Sequence, residues 1–128
     1  MAGLFLDSSA LVKLVAAEPE SEALRTYLGD PRRAIVVSEL AVTEVTRAAR
    51  RVGADPTDAL AECDIVLLRS PLLVAAAALD PPTLRTLDAI HLATALSLAG
   101  VLDAFVAYDQ SLLAAARYHG LDVASPGA

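Results

Sequence analysis

Two aspartates each follow a short apolar run that is typical of a buried strand. Asp7 comes directly after residues 4–6, and Asp109 comes directly after residues 105–108. The carboxyl ends of parallel strands meet at one edge of a sheet, and ligands of open α/β sheets bind at that edge. We therefore expect the two carboxylates to lie at the same edge.

Two further acids fall on helical patterns. Glu44 stands between Ala41 and Ala48, at the rim of the apolar face of a helix, and Asp88 opens a helix that is apolar on nearly every side. An ionised carboxylate is costly beside apolar surroundings unless something compensates its charge. A cation shared by all four acids would do so.

Each acid also has a simpler interpretation. Asp7 and Asp109 could cap helices, and Asp88 could be a first-turn acid favoured by the helix dipole. Glu44 could pair with an arginine of its own helix, Arg47 or Arg51. These interpretations need four separate causes, whereas a shared cation needs one, and we prefer the cation.

The predicted cation is Mg²⁺, with Mn²⁺ as the alternative. Hard cations take oxygen ligands, and the sequence has no His/Cys spacing typical of zinc sites. A divalent ion held by carboxylates suits phosphodiester hydrolysis, because it polarises a phosphoryl oxygen and activates water. Without metal, the clustered carboxylates repel one another, so we expect a raised pKa for at least one of them.

Strand-like and helix-like runs alternate along the chain. Strands are predicted at residues 3–6, 34–37, 65–68, 104–108 and 121–124, and helices at 8–17, 20–28, 39–52, 57–63, 72–79, 84–98 and 111–118. This alternation predicts βαβ units. We expect an α/β fold, a three-layer α/β/α sandwich with a mainly parallel sheet of four to five short strands, formed by residues 1–128 as a single domain.

The composition of the chain argues against three classes of protein: disordered, nucleic-acid-coating and membrane-spanning. The chain has 128 residues, 55% of them hydrophobic, and a net charge of −6, which argues against disorder and against a protein that coats nucleic acid through its overall charge. The longest stretch without a charged residue has 14 residues (89–102), whereas a membrane span needs about 20. We expect no membrane association. The single cysteine, Cys63, favours a cytoplasmic location.

The four acidic corners, in this order, resemble those of the PIN-domain ribonucleases, most closely the VapC-type toxins of bacterial toxin–antitoxin pairs. The matching segments are residues 6–14, 38–45, 87–95 and 105–113. The resemblance implies a Mg²⁺-dependent endoribonuclease. It also implies that Asp7, Glu44, Asp88 and Asp109 are the metal-binding and catalytic set.

The resemblance further implies partners: an RNA substrate (tRNA, rRNA or mRNA), a cognate antitoxin and a second copy of the chain in a homodimer. One departure from the family pattern is Ala107, where relatives often carry Thr or Ser two positions before the last acid. We expect Ser8 or Ser9 to supply hydroxyl groups to the site instead.

Four basic residues are candidate contacts for RNA phosphates or for acids of the antitoxin. They are Lys13, Arg47, Arg50 and Arg51. The alternative for the three arginines is a solvated helix face. His91, one turn after Asp88, could reach towards the site, but we prefer the interpretation of a helix histidine packed at an edge. The apolar residues 10–14 and those near Leu24 are either core or an interaction surface.

Two alternative functions remain open, and a third is argued against by a single residue. A receiver-like, Mg²⁺-dependent phosphoacceptor domain would need an adjacent acidic pair after the first strand and a lysine after the fifth, whereas this chain has one acid there and its only lysine is Lys13. A haloacid-dehalogenase-type phosphatase would need an acid at position 9, which is Ser9. The other open alternative is a catalytically inactive, PIN-like interaction module.

Overall fold

The computed structural model describes residues 2–128 and places five short strands in one parallel sheet. The strands are β1 (Gly3–Leu6), β2 (Ile35–Ser38), β3 (Cys63–Val66), β4 (Leu102–Val106) and β5 (Val123–Ala124). Their order across the sheet is β3-β2-β1-β4-β5, and each neighbouring pair is parallel. Parallel neighbours require crossover connections, which the helices provide.

At least one helix lies in each connection between consecutive strands. Between residues 2 and 128 the helices are α1 (Ser8–Leu11), α2 (Ser21–Leu28), α3 (Glu39–Val52), α4 (Thr57–Ala61), α5 (Ser70–Ala77), α6 (Thr86–Leu96) and α7 (Gln110–Tyr118). Short 3₁₀ turns cover Val12–Leu14 and Ala99–Val101. None of these described helices combines the length and the apolar character that crossing a membrane requires.

The sheet is covered on both faces, because side chains alternate along each buried strand. Leu4 and Leu6 pack with residues of α1, α2 and α3 on one face. Phe5 packs on the other face with residues of α6 and α7, and its ring stacks on Phe105 at a centroid distance of 5.5 Å. The predicted three-layer α/β/α sandwich with a parallel sheet is confirmed.

Some predicted bounds were wrong. The helix expected over residues 8–17 ends at Leu11 and continues only as a 3₁₀ turn. The third strand starts two residues earlier than expected, at Cys63, because its pairing with β2 sets the register and local hydropathy does not. The helix expected over residues 84–98 is α6, which is shorter than expected at both ends.

Candidate active site

The candidate site lies where the strand order of the sheet reverses. The chain runs from β1 outward to β2 and β3 on one side, and β4 and β5 lie on the other side. The crevice at such a switch point is the expected ligand site of an open parallel sheet. Two hydrogen bonds join the corners after β1 and β4: the Asp7 amide donates to the Val106 carbonyl (3.2 Å), and the Tyr108 amide donates to Ser9 Oγ (3.2 Å).

Asp7 is the most deeply buried acid of the site, with 4% of its surface exposed. It caps α1, and its Oδ1 accepts hydrogen bonds from the Ala10 amide (3.0 Å) and from Ser9 Oγ (2.7 Å). Burial raises the pKa of Asp7, and the negative charge of Asp88 adds to this, although the two hydrogen bonds and His91 act in the opposite direction. Capping therefore occurs, but it uses only one carboxylate oxygen.

Glu44 points from α3 towards the sheet edge. Its Oε1 accepts hydrogen bonds from Ser8 Oγ (2.5 Å) and from His91 Nε2 (2.7 Å). Burial alone would raise the pKa of Glu44, but the hydrogen bonds from His91 and Ser8, with the charge of His91, outweigh it and lower that pKa. The ion pair considered with Arg47 or Arg51 does not form among residues 2–128.

His91 lies in the site, which is the less favoured of the two interpretations weighed from the sequence. It is 2% exposed and lies at the centre of the site, not at an edge of the fold. A carboxylate only accepts hydrogen bonds, so the contact with Glu44 places a proton on Nε2. Nδ1 lies 3.1 Å from Ser38 Oγ, and Ser38, which directly precedes α3, makes no side-chain cap to that helix. The available signal was its spacing of three from Asp88, which puts both on one helix face.

Asp88 and Asp109 share a residue that was not predicted, Arg85. Its Nε donates to Asp88 Oδ2 (3.3 Å), and its Nη2 donates to Asp109 Oδ2 (3.1 Å). Asp109 also caps α7, with its Oδ1 accepting from the Leu112 amide at 2.9 Å. One guanidinium group therefore joins the acids of α6 and α7.

The four predicted acids form one electrostatic group. The charges of Asp88 and His91 both act on Asp7. His91 also contacts Glu44. Arg85 forms a salt bridge with Asp109 as well as with Asp88. Asp7, Glu44 and Asp109 are each oriented by hydrogen bonds to one oxygen, which leaves the other oxygen for a ligand or for Arg85.

The chemistry of these donors fits a hard divalent ion, because all four are carboxylates. As they stand, however, no three His, Cys, Asp or Glu side chains of residues 2–128 are gathered closely enough to hold a metal ion. Arg85 supplies a positive charge to two of the acids instead.

Both serines after Asp7 lie against carboxylates. Ser8 donates to Glu44, and Ser9 donates to Asp7. Ala107, at the position where relatives often have a hydroxyl, is fully buried and packs with the α6 and α7 core. The hydroxyl donors of Glu44 and Asp7 thus come from the segment after β1 and not from the segment after β4.

Lys13 is not a free cation for RNA or antitoxin, so that expectation was wrong. Its buried Nζ pairs with Glu18 (2.8 Å) and Glu20 (3.1 Å) and lies 4.5 Å from the Tyr108 ring centroid. Burial alone would lower the pKa of Lys13, but its two glutamate partners outweigh this and raise it. The chain bends after the 3₁₀ turn, and this brings both glutamates to Lys13.

The three arginines of α3 are exposed. Arg47, Arg50 and Arg51 lie on its outer face, and none forms a salt bridge within residues 2–128. They therefore remain available to a partner.

Comparison with known proteins identifies the class. The model of the PIN domain family matches residues 4–126. Two similar proteins of Mycobacterium tuberculosis are Ribonuclease VapC46, 45% identical over 98% of this chain and 99% of the relative, and Ribonuclease VapC47, 40% identical over 98% of each. The crystal structure of M. tuberculosis VapC20, described as a sarcin–ricin loop cleaving toxin, superposes with a TM-score of 0.71 at 17% identity, covering 93% of this chain and 96% of VapC20.

The chain belongs to the PIN-domain family and, within it, to the VapC ribonucleases. The resemblance deduced from the sequence is confirmed. The receiver-like alternative is excluded by this membership.

Proposed function

We propose that the protein is a Mg²⁺-dependent endoribonuclease and the toxin of a toxin–antitoxin pair. The observation that carries this proposal is the set of buried and half-buried carboxylates at the switch point, each of Asp7, Glu44 and Asp109 oriented through one oxygen. Asp7, Glu44, Asp88 and Asp109 are the proposed catalytic and metal-binding residues. Mn²⁺, which prefers similar oxygen ligands, is the alternative metal.

A divalent ion at this site supplies Lewis-acid polarisation of a phosphoryl oxygen and activation of water. The chain's own contribution is orientation. Ser9 and the Ala10 amide fix the rotamer of Asp7, while Ser8 and His91 fix that of Glu44. Because its pKa is lowered, Glu44 is a carboxylate at neutral pH and can accept a hydrogen bond from a water molecule.

Metal-dependent RNA cleavage tests this proposal. The wild type and Asp88→Asn are incubated with total tRNA and rRNA in Mg²⁺, Mn²⁺ or EDTA, and products are separated on denaturing gels. We expect cleavage by the wild type that EDTA abolishes, and a loss of at least ~100-fold in Asp88→Asn. Asp58→Asn, an exposed site on α4, is the charge-matched control. Equal preservation of RNA by all proteins under every metal condition would instead support the inactive interaction module.

The proposed macromolecular partners are RNA and a cognate antitoxin. The exposed guanidinium groups of Arg47, Arg50 and Arg51 suit RNA phosphates or acidic side chains of an antitoxin. They extend from the helix that carries Glu44. A cytoplasmic location follows from the RNA substrate and is compatible with the free thiol of Cys63.

A homodimer is the proposed assembly. Of the two alternatives considered for the apolar residues 10–14 and those near Leu24, the core applies to Ala10, Leu11 and Leu24, which are fully buried. Exposed apolar side chains lie instead on and near α5 and the edge strand β3: Ile65, Leu67, Leu73 and Val74. We propose that a second copy covers these side chains, since burying them against an apolar partner would remove their surface from water.

Light scattering at micromolar protein should therefore report twice the chain mass of 13.3 kDa. Val74→Glu should shift the protein towards the monomer, because it places a charge in the proposed interface. Val52→Glu is the control, since Val52 is exposed to a similar degree at the end of α3 (66% against 70%). A wild-type mass near 13 kDa, or equal masses for both variants, contradicts this proposal.

A further inference from the structure

Within residues 2–128, two salt bridges join an arginine or lysine to the four acids, and Arg85 forms both of them. It precedes α6, and its side chain reaches Asp88 on that helix and Asp109 before α7. The two carboxylates are 21 positions apart in the chain, so only the tertiary structure brings them to one guanidinium group.

Arg85 holds one oxygen of each carboxylate, and at Asp109 this is the oxygen that the helix cap leaves for a ligand. Asp109 uses Oδ1 to cap α7 and offers Oδ2 to Arg85, and Asp88 also binds Arg85 through Oδ2. A divalent ion and the guanidinium group therefore compete for Oδ2 of Asp109, and at Asp88 they compete for the same negative charge.

The guanidinium group can leave these acids at low cost. The Arg85 side chain is 75% exposed, and exposed ion pairs are weak because water screens them. Once a divalent ion neutralises Asp88 and Asp109, the electrostatic attraction that holds Arg85 to these carboxylates is lost. Arg85 then stands at the rim of the site as an exposed cation, and its planar fork matches the geometry of a phosphate group.

We propose that Arg85 exchanges partners during the reaction cycle. In the metal-free protein it is the counter-ion of Asp88 and Asp109, and in the metal-loaded protein it binds a phosphate group of the RNA. This inference rests on the proposed function. It assigns to one residue both a restraint on metal binding and a role in substrate binding.

Metal binding without RNA tests the first half. Arg85→Gln and Arg85→Lys are compared with the wild type for Mn²⁺ binding by electron paramagnetic resonance. We expect Arg85→Gln to bind Mn²⁺ about 2- to 5-fold more tightly, as removal of a weak surface ion pair predicts, and Arg85→Lys to stay close to the wild type. Arg117→Gln, an exposed arginine of α7, is the charge-matched control and should not change Mn²⁺ binding by more than Arg85→Lys does. Unchanged or weaker Mn²⁺ binding by Arg85→Gln overturns the competition.

RNA binding tests the second half. Binding of fluorescently labelled tRNA is measured at 4 °C in Mn²⁺ and in EDTA, with gels to show that the RNA is intact. In Mn²⁺, Arg85→Gln should bind about 5-fold more weakly, and the slope of log K against log salt should fall by about one. In EDTA, Arg85→Gln and the wild type should bind alike, because Arg85 is then held by the acids. Equal losses in Mn²⁺ and EDTA, or no loss in either, overturn the exchange.

Failure of the proposed function has a different signature. A wild type that binds no Mn²⁺ and cleaves no RNA removes the proposed function, and the exchange falls with it. A wild type that binds Mn²⁺ and cleaves RNA, beside an Arg85→Gln variant that is indistinguishable from it, removes the exchange alone.

Discussion

Replacing Asp7 with asparagine should stabilise the metal-free protein while abolishing RNA cleavage. Asparagine keeps the Oδ1 acceptor for the Ala10 amide and for Ser9, but removes a buried charge close to Asp88. We expect the free energy of unfolding in EDTA at pH 7 to rise by on the order of 1 kcal/mol, which is about 3–5 °C in Tm for a chain of this length. Cleavage should fall by at least ~100-fold.

The pH dependence of this stability difference follows from the raised pKa of Asp7. Below the ordinary value of 3.8 the carboxyl group is protonated in both the folded and the unfolded state, so the two proteins should be equally stable. As pH rises through the raised folded pKa, the unfolded wild type loses its proton more readily, and the wild type loses stability relative to Asp7→Asn. Urea unfolding in EDTA from pH 3 to pH 8 measures this.

Added metal should reverse the order of stability. Mg²⁺ or Mn²⁺ binds the folded wild type and stabilises it by mass action, whereas Asp7→Asn lacks a ligand and gains less. Asp58→Asn, which removes the same charge from an exposed position, should follow the wild type throughout. An Asp7→Asn protein that is less stable than the wild type in EDTA at pH 7 would contradict our account of the buried carboxylate.

Substitution of His91 should damage both the stability and the site. His91→Ala removes the donor to Glu44 and the partner of Ser38, and it leaves a cavity beside α3. The combined loss of packing and of buried hydrogen bonds is expected to cost about 2–4 kcal/mol, a fall in Tm on the order of 10 °C. Thermal and urea unfolding measure this effect.

Two conservative variants separate the positioning role of His91 from its packing. The amide nitrogen of His91→Gln can replace Nε2 and still donate to Glu44, whereas the shorter side chain of His91→Asn can replace only Nδ1, towards Ser38. With assays run where each protein is folded, we expect His91→Gln to retain most of the cleavage and His91→Asn to lose about 10-fold. Equal activity of the two folded variants would show that the contact with Glu44 is not needed to position it.

The fold could be predicted from sequence because hydrophobic periodicity reports directly on burial. The alternation of Leu4, Phe5 and Leu6 between the two faces of the sheet, and the full 14-residue length of α3, are local patterns. The start of β3 was misplaced for the opposite reason, since its hydrogen-bonded register with β2 depends on a distant segment.

By itself, the sequence determined the layer architecture and the family, and it singled out the four acids as the candidate set, because residue type and position after a strand are local properties. Only the tertiary structure decided what holds those acids. Lys13 forms ion pairs with two glutamates. His91 contacts Glu44 and Ser38. Arg85 pairs with both Asp88 and Asp109. Each of these contacts depends on the direction in which a side chain points. Most of the partners lie on other elements, which the chain crossovers bring close and which no local sequence pattern encodes.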